Sequence, residues 1–200
     1  MMMKYRIEHA YPHAMTNVCH AGTLYIADFT ERTQSVRGVE IHETTPLVPD
    51  SAKDMDCFVM QNPKGIGIQY NIFDGSQFKD AEGKEVQHCE CCLFPETETD
   101  GTWVVFLEIK DCKPKNISEH KDKAKEQIVS SVNWFRNKGV VVSGQNIYGI
   151  LSFPRKGKLA FNQTIFEDHT EYKRLYKQHK IHFYATNEVS AKNEKSVIPV

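Results

Sequence analysis

Residues Trp103 to Lys110 read WVVFLEIK. An apolar run of this length, rich in β-branched and aromatic residues, predicts a buried strand. Alternate side chains of a strand share a face, so Glu108 and Lys110 emerge together at its end. The segment before it, Val86 to Phe94 (VQHCECCLF), is a second strand-like run, and Pro95 to Thr102 (PETETDGT) between them is rich in turn formers. The two runs are expected to form an antiparallel hairpin. With the turn centred near Glu98 or Thr99, Glu90 falls opposite Leu107 or Glu108. Cross-strand neighbours lie about 5 Å apart at Cβ, and two carboxylates that close repel unless a cation sits between them. Glu90, Glu108 and Lys110 are therefore the first candidate constellation. A divalent ion held there, with an ammonium beside it, is the equipment of phosphodiester cleavage. Glu96, Glu98 and Asp100 are rivals for the first acid, but they fall in the turn.

This succession resembles the PD-(D/E)xK, or restriction-endonuclease-like, nuclease superfamily. That pattern is an acidic residue on one core strand, E-x-K on the next, and then a helix that often carries a Gln. Glu90 takes the first position, Glu108-Ile109-Lys110 supplies E-x-K, and Gln127 lies in KAKEQIVSSVNWF, where the helix belongs. Glu stands here for the usual Asp at the first position. The resemblance covers residues 84 to 189 and implies Mg²⁺ or Mn²⁺ held by Glu90, Glu108 and the Ile109 carbonyl. Lys110 would then position water and Gln127 would support the site. Nucleic acid, DNA first, is the implied partner, with a homodimer allowed.

Charge distribution fits such a partner. Residues 1–109 hold 8 Lys or Arg against 17 Asp or Glu, whereas residues 110–200 hold 17 against 9. Lys113, Lys115, Lys121, Lys123 and Lys125 crowd the segment beside the E-x-K and are the candidate phosphate contacts. A second basic group comprises Arg155, Lys156, Lys158, Lys173, Arg174, Lys177 and Lys180. A solvated helix face would read the same way. Of the six cysteines, Cys89, Cys91 and Cys92 crowd four positions. Strand alternation predicts that Cys89 and Cys91 point away from Cys92, which disfavours both a disulfide and a tetrahedral zinc. Buried thiols are the expectation.

Two hundred residues, 40% hydrophobic and 26% charged, suit an ordinary globular fold. No apolar stretch approaches the roughly 20 residues that span a bilayer. The opening MMMKYRIEHAYPH lacks the apolar core of a secretion signal, so a cytoplasmic address and no membrane partner are expected. KYRIEHA, TLYIADF, GVEIHE, DCFVM and GIGIQYNIF read as short strands, so residues 1–83 are expected to be a β-rich extension. The nuclease-like core follows over 84–189, and a polar, frayed tail over 190–200. Pro114 and Asn116 precede a helical run to about Asn137, with Asn116 and Glu119 as a capping pair and Ala124, Ile128, Val132 and Phe135 as its apolar stripe. IYGILSF is a strand, Thr164 to His179 a helix, and IHFYA a strand. The fold class is therefore α/β or α+β, a central mixed sheet flanked by helices. Neither G-x-S-x-G nor H-E-x-x-H occurs, so serine-hydrolase and zincin chemistry lack their local signatures. A nuclease-like domain that binds or inhibits without turnover is the second reading, and a zinc-stabilised interaction module the third.

Overall fold

The computed structural model describes residues 2–12, 19–30, 38–156, 166 and 169–200. Among these residues the chain forms two sheets and three α-helices. The helices are α1 (Met3–Ala10), α2 (Ile117–Asn137) and α3 (His169–His179). The first sheet contains β1 (Cys19–His20), β5 (Ile68–Ile72), β6 (Cys91–Pro95), β7 (Trp103–Ile109), β8 (Asn146–Ser152) and β9 (Ile181–Ala185), in that spatial order. The second runs β11 (Ser196–Pro199), β10 (Glu188–Asn193), β4 (Phe58–Gln61), β2 (Leu24–Asp28) and β3 (Val39–His42).

Strand β7 is the keel, and every one of its residues is buried. Trp103, Val105, Leu107 and Ile109 pack into a core between the two sheets, while Val104 and Phe106 pack into a core beneath the helices. A strand covered on both faces has no polar side, which is why WVVFLEI shows no alternation. It pairs antiparallel with β6 and parallel with β8, and β9 continues the parallel set. The parallel pairings require crossovers, which α2 and the segment bearing α3 supply. This is a mixed-sheet α+β architecture, as the order of runs predicts.

Four local expectations are corrected. Residues 4–10 form part of α1 rather than a strand, because Met3 and Ile7, one turn apart, bury together against the helix-side core. Strand β6 begins only at Cys91, leaving residues 86–90 irregular apart from their hydrogen bonds to neighbours. Residues 1–83 are no separate extension, because β1 and β5 lie in the sheet that holds β7 and β4 pairs with β10 from the far end of the chain. Finally, the expected frayed tail is a β10–β11 hairpin with Val189, Ala191 and Val197 buried.

Helix α2 spans the expected residues, but the Asn116 side chain makes no capping hydrogen bond. The preceding single turn at Pro114–Asn116 supplies the entry instead. Cys89 and Cys92 enter the helix-side core and Cys91 the inter-sheet core, correcting the expected pairing of faces, since Cys89 precedes the strand. Cys57, Cys89, Cys91, Cys92 and Cys112 are all buried. Of the expected features, Lys158 and the first residues of the Thr164–His179 run, except Phe166, lie outside the described residues.

Candidate metal and phosphate site

The site is built at the carboxyl end of β7. Cys91 pairs with Leu107 and Cys92 with Phe106, and the register ends there, leaving Glu90 just beyond it. The Glu90 amide donates to the Leu107 carbonyl at 3.0 Å, which holds the two chains together one step beyond the strand proper. A cleft of about 870 Å³ opens here, and Glu90, Ile109 and Lys110 line it. Lys113 and Lys115 approach from the turn before α2, His120 from its start, His88 from the segment before β6, and Asp28 from the end of β2.

Glu108 does not itself line the cleft. It is 0% exposed, forms an ion pair with Lys110, and neither of its carboxyl oxygens has a well-formed hydrogen bond among the described residues. Burial pushes its pKa up to about 8; Lys110 opposes the rise, and the nearby charges of Glu90 and Asp28 add to it. Burial also raises the Cys89 thiol well above its ordinary range, helped by Glu108, so that thiol is inert at neutral pH.

Gln127 sits outside the cleft. Its amide nitrogen donates to the His88 carbonyl at 2.8 Å, while Ser131 Oγ accepts the Cys89 N–H at 2.9 Å. Helix α2 thus pins the irregular segment that ends in Glu90. Of the five lysines suggested for phosphate contact, Lys113 and Lys115 are exposed on the cleft rim. Lys123 is exposed and Lys121 half-buried, both on α2 away from the lining. Lys125 is removed from the set: it is buried, with Nζ 2.6 Å from Glu171 and 3.1 Å from Asp122 and lying 5.4 Å from the Phe166 ring centre. Arg155 reaches the cleft, but Asp111 holds its Nε at 2.6 Å and Asp54 lies 3.3 Å from its Nη1.

Asp28 is the acid that the sequence reading passes over. Its Oδ1 accepts hydrogen bonds from the Thr30 amide at 2.9 Å and hydroxyl at 2.6 Å, which fixes its orientation. TLYIADF carries the same signal as WVVFLEIK, an acid closing an apolar strand, but nothing local shows that the two strand ends meet across two sheets.

No group of three or more His, Cys, Asp or Glu side chains among the described residues is placed to hold an ion. The donors that the resemblance implies are the Glu90 and Glu108 carboxylates and the Ile109 carbonyl. That donor set suits Mg²⁺ or Mn²⁺, which bind through one or two carboxylates and keep water or phosphate oxygens for their other positions. The Oε2 atom of buried Glu108, which meets no hydrogen-bond donor among the described residues, fits the same reading. None of the described helices is long and apolar enough to cross a membrane. No family model matches the chain, and no curated protein or solved structure matches it significantly.

Proposed function

We propose that this chain is a metal-dependent nuclease resembling the PD-(D/E)xK superfamily, hydrolysing phosphodiester bonds of DNA. The observation that supports the reading is that Glu90 and Lys110 line one cleft and that the charges of both act on Glu108. Bound Mg²⁺ or Mn²⁺ supplies a Lewis acid that polarises a phosphoryl oxygen and lowers the pKa of water. Glu90, Glu108 and the Ile109 carbonyl would hold it. Lys110, 21% exposed at its side chain and already beside Glu108, turns its charge toward the phosphate and stabilises the negative charge that develops there. Lys113 and Lys115 grip neighbouring phosphates without reading sequence. Gln127 and Ser131 act at one remove by fixing the backbone before Glu90. Restriction, repair and phage defence are all compatible with this chemistry.

One observation favours the second reading, a nucleic-acid-binding or inhibitory domain without turnover. Glu108 is sealed by burial and held protonated up to about pH 8. The deciding experiment incubates the protein with linear, circular and single-stranded DNA and with RNA, with and without Mg²⁺ or Mn²⁺, beside Glu108→Gln and Lys110→Ala. Cleavage that requires the metal and falls about 100-fold or more in both variants supports the nuclease. Cleavage that either variant retains in full belongs elsewhere. An inert parent that binds nucleic acid with steep salt dependence supports the second reading.

A further inference from the structure

The outer edge of the six-stranded sheet carries aromatic chemistry that the cleft does not use. On β9, His182 and Tyr184 share a face, and Tyr148 of β8 lies beside them with ring centroids 5.4 Å from His182 and 5.9 Å from Tyr184. Helix α3 brings Tyr176 to within 4.4 Å of His182, ring to ring. Tyr176 is 38% exposed, and His182 and Tyr184 are half-buried. Burial holds His182 below its ordinary range, so its ring is neutral at pH 7. Lys173, Arg174 and Lys177 lie on the same helix as Tyr176, Lys180 ends it, and all four are exposed.

Lys180 supplies an independent sign. Its φ of 56° makes it the one non-glycine with positive φ among the described residues. It ends α3 by donating its amide to the Tyr176 carbonyl at 2.7 Å, the position at which glycine normally closes a helix because a Cβ is unwelcome there. Lysine at this strained position places an ammonium 5.6 Å from the centre of the Tyr176 ring. Glycine would terminate the helix better and would lose that charge. The sharp turn sets the backbone, and a lysine in it adds a cation to the surface of rings that glycine would not.

We propose that this edge binds single-stranded nucleic acid, with unpaired bases meeting Tyr176 and the His182–Tyr184 face and phosphates meeting Lys173, Arg174, Lys177 and Lys180. A basic helix alone would serve a duplex equally well, but accessible aromatic rings reward only bases whose faces are free. This proposal rests on the nucleic-acid reading of the cleft for its choice of polymer, and it does not require the cleft to cut.

The test is fluorescence anisotropy on the full chain in EDTA, with labelled dT and rU strands of about 12 nucleotides and a duplex of the same length. At least one single strand is expected to bind about 10-fold more tightly than the duplex, and the stronger of the two names the sugar preferred. Tyr176→Ala and Lys180→Gly are each expected to weaken that binding about 10-fold. Lys180→Gly should melt no lower than the parent, because glycine relieves the backbone, which separates lost binding from lost structure. Duplex binding as tight as that of both single strands overturns the proposal, as does parental affinity in both variants. Failure of the nuclease reading, meaning no cleavage with any metal, leaves these affinities unchanged and is recognised separately.

Discussion

Glu108 concentrates the physics of the site in one side chain. A carboxyl wholly out of water is costly to ionise, and the Lys110 ammonium offsets only part of that cost. In the unfolded chain the group ionises near its ordinary value of 4.5, whereas in the folded protein it keeps its proton to about pH 8. Between those values the folded state binds the extra proton, so stability falls as pH rises across that window and levels off above it. Glu108→Gln lacks this titration. The variant should gain on the parent between pH 4.5 and about 8, with a limiting slope of roughly 1.4 kcal/mol per pH unit. Urea unfolding at pH 5, 6.5 and 8.5 measures it, and parallel curves for the two proteins would contradict the assignment.

At the scale of the element, α2 does more than cover the sheet. Through Gln127 and Ser131 it satisfies the backbone groups of residues 88 and 89, which no strand partner reaches. Ser131→Ala leaves the Cys89 N–H buried without an acceptor and should cost about 1–3 kcal/mol of stability. It should also weaken Mg²⁺ binding, because Glu90 follows directly on that segment. Equal stability of variant and parent in urea would mean that water or another acceptor takes over the bond. The turn from β9 to β10 is held in a similar way. Asn187 Oδ1 accepts the Ser152 hydroxyl and the Phe153 amide, each at 2.8 Å, and its Nδ2 donates to the Phe153 carbonyl. Its own carbonyl accepts the Val59 amide of β4 at 2.9 Å, so one residue ties the two sheets together. Asn187→Ala should therefore lower stability by about 3 kcal/mol, measured by urea unfolding.

For the molecule as a whole, the consequence is that the site belongs to both sheets and cannot be cut out as a smaller piece. Asp28 comes from one sheet, Glu90 and Lys110 from the other, and the inter-sheet core beneath them is closed by the carboxy-terminal hairpin. Mg²⁺ that binds only the folded chain should raise its thermal midpoint, by the equivalent of about 2.7 kcal/mol at 100 times the dissociation constant. The gain should be larger above pH 8 than at pH 6, since binding needs Glu108 ionised. It should vanish in Glu108→Gln. Differential scanning fluorimetry with and without Mg²⁺ at the two pH values reads all three outcomes. A shift that survives in the variant would place the ion elsewhere.

Sequence alone determined what depends on near neighbours. The apolar run of β7, the turn centred near residue 99, the 117–137 helix and the sharing of one strand face by Glu108 and Lys110 are all local, because strand and helix periods are fixed by the backbone. Since pairing in a tight hairpin follows from the turn, the antiparallel pairing of residues 91–93 with 105–107 was legible as well. Distance in sequence hid the rest. Met3 and Ile7 form a helix because a distant core receives them, and the polar tail becomes a hairpin because β4 offers an edge to β10. Lys125 reads as one cation among five until Glu171, 46 positions away, neutralises it in the interior. Asp28 joins the cleft only when two sheets stack, and Lys180 acquires its left-handed backbone only when α3 must turn sharply into β9. Such features arise from long-range contacts, and those are decided by which faces can be buried together in three dimensions.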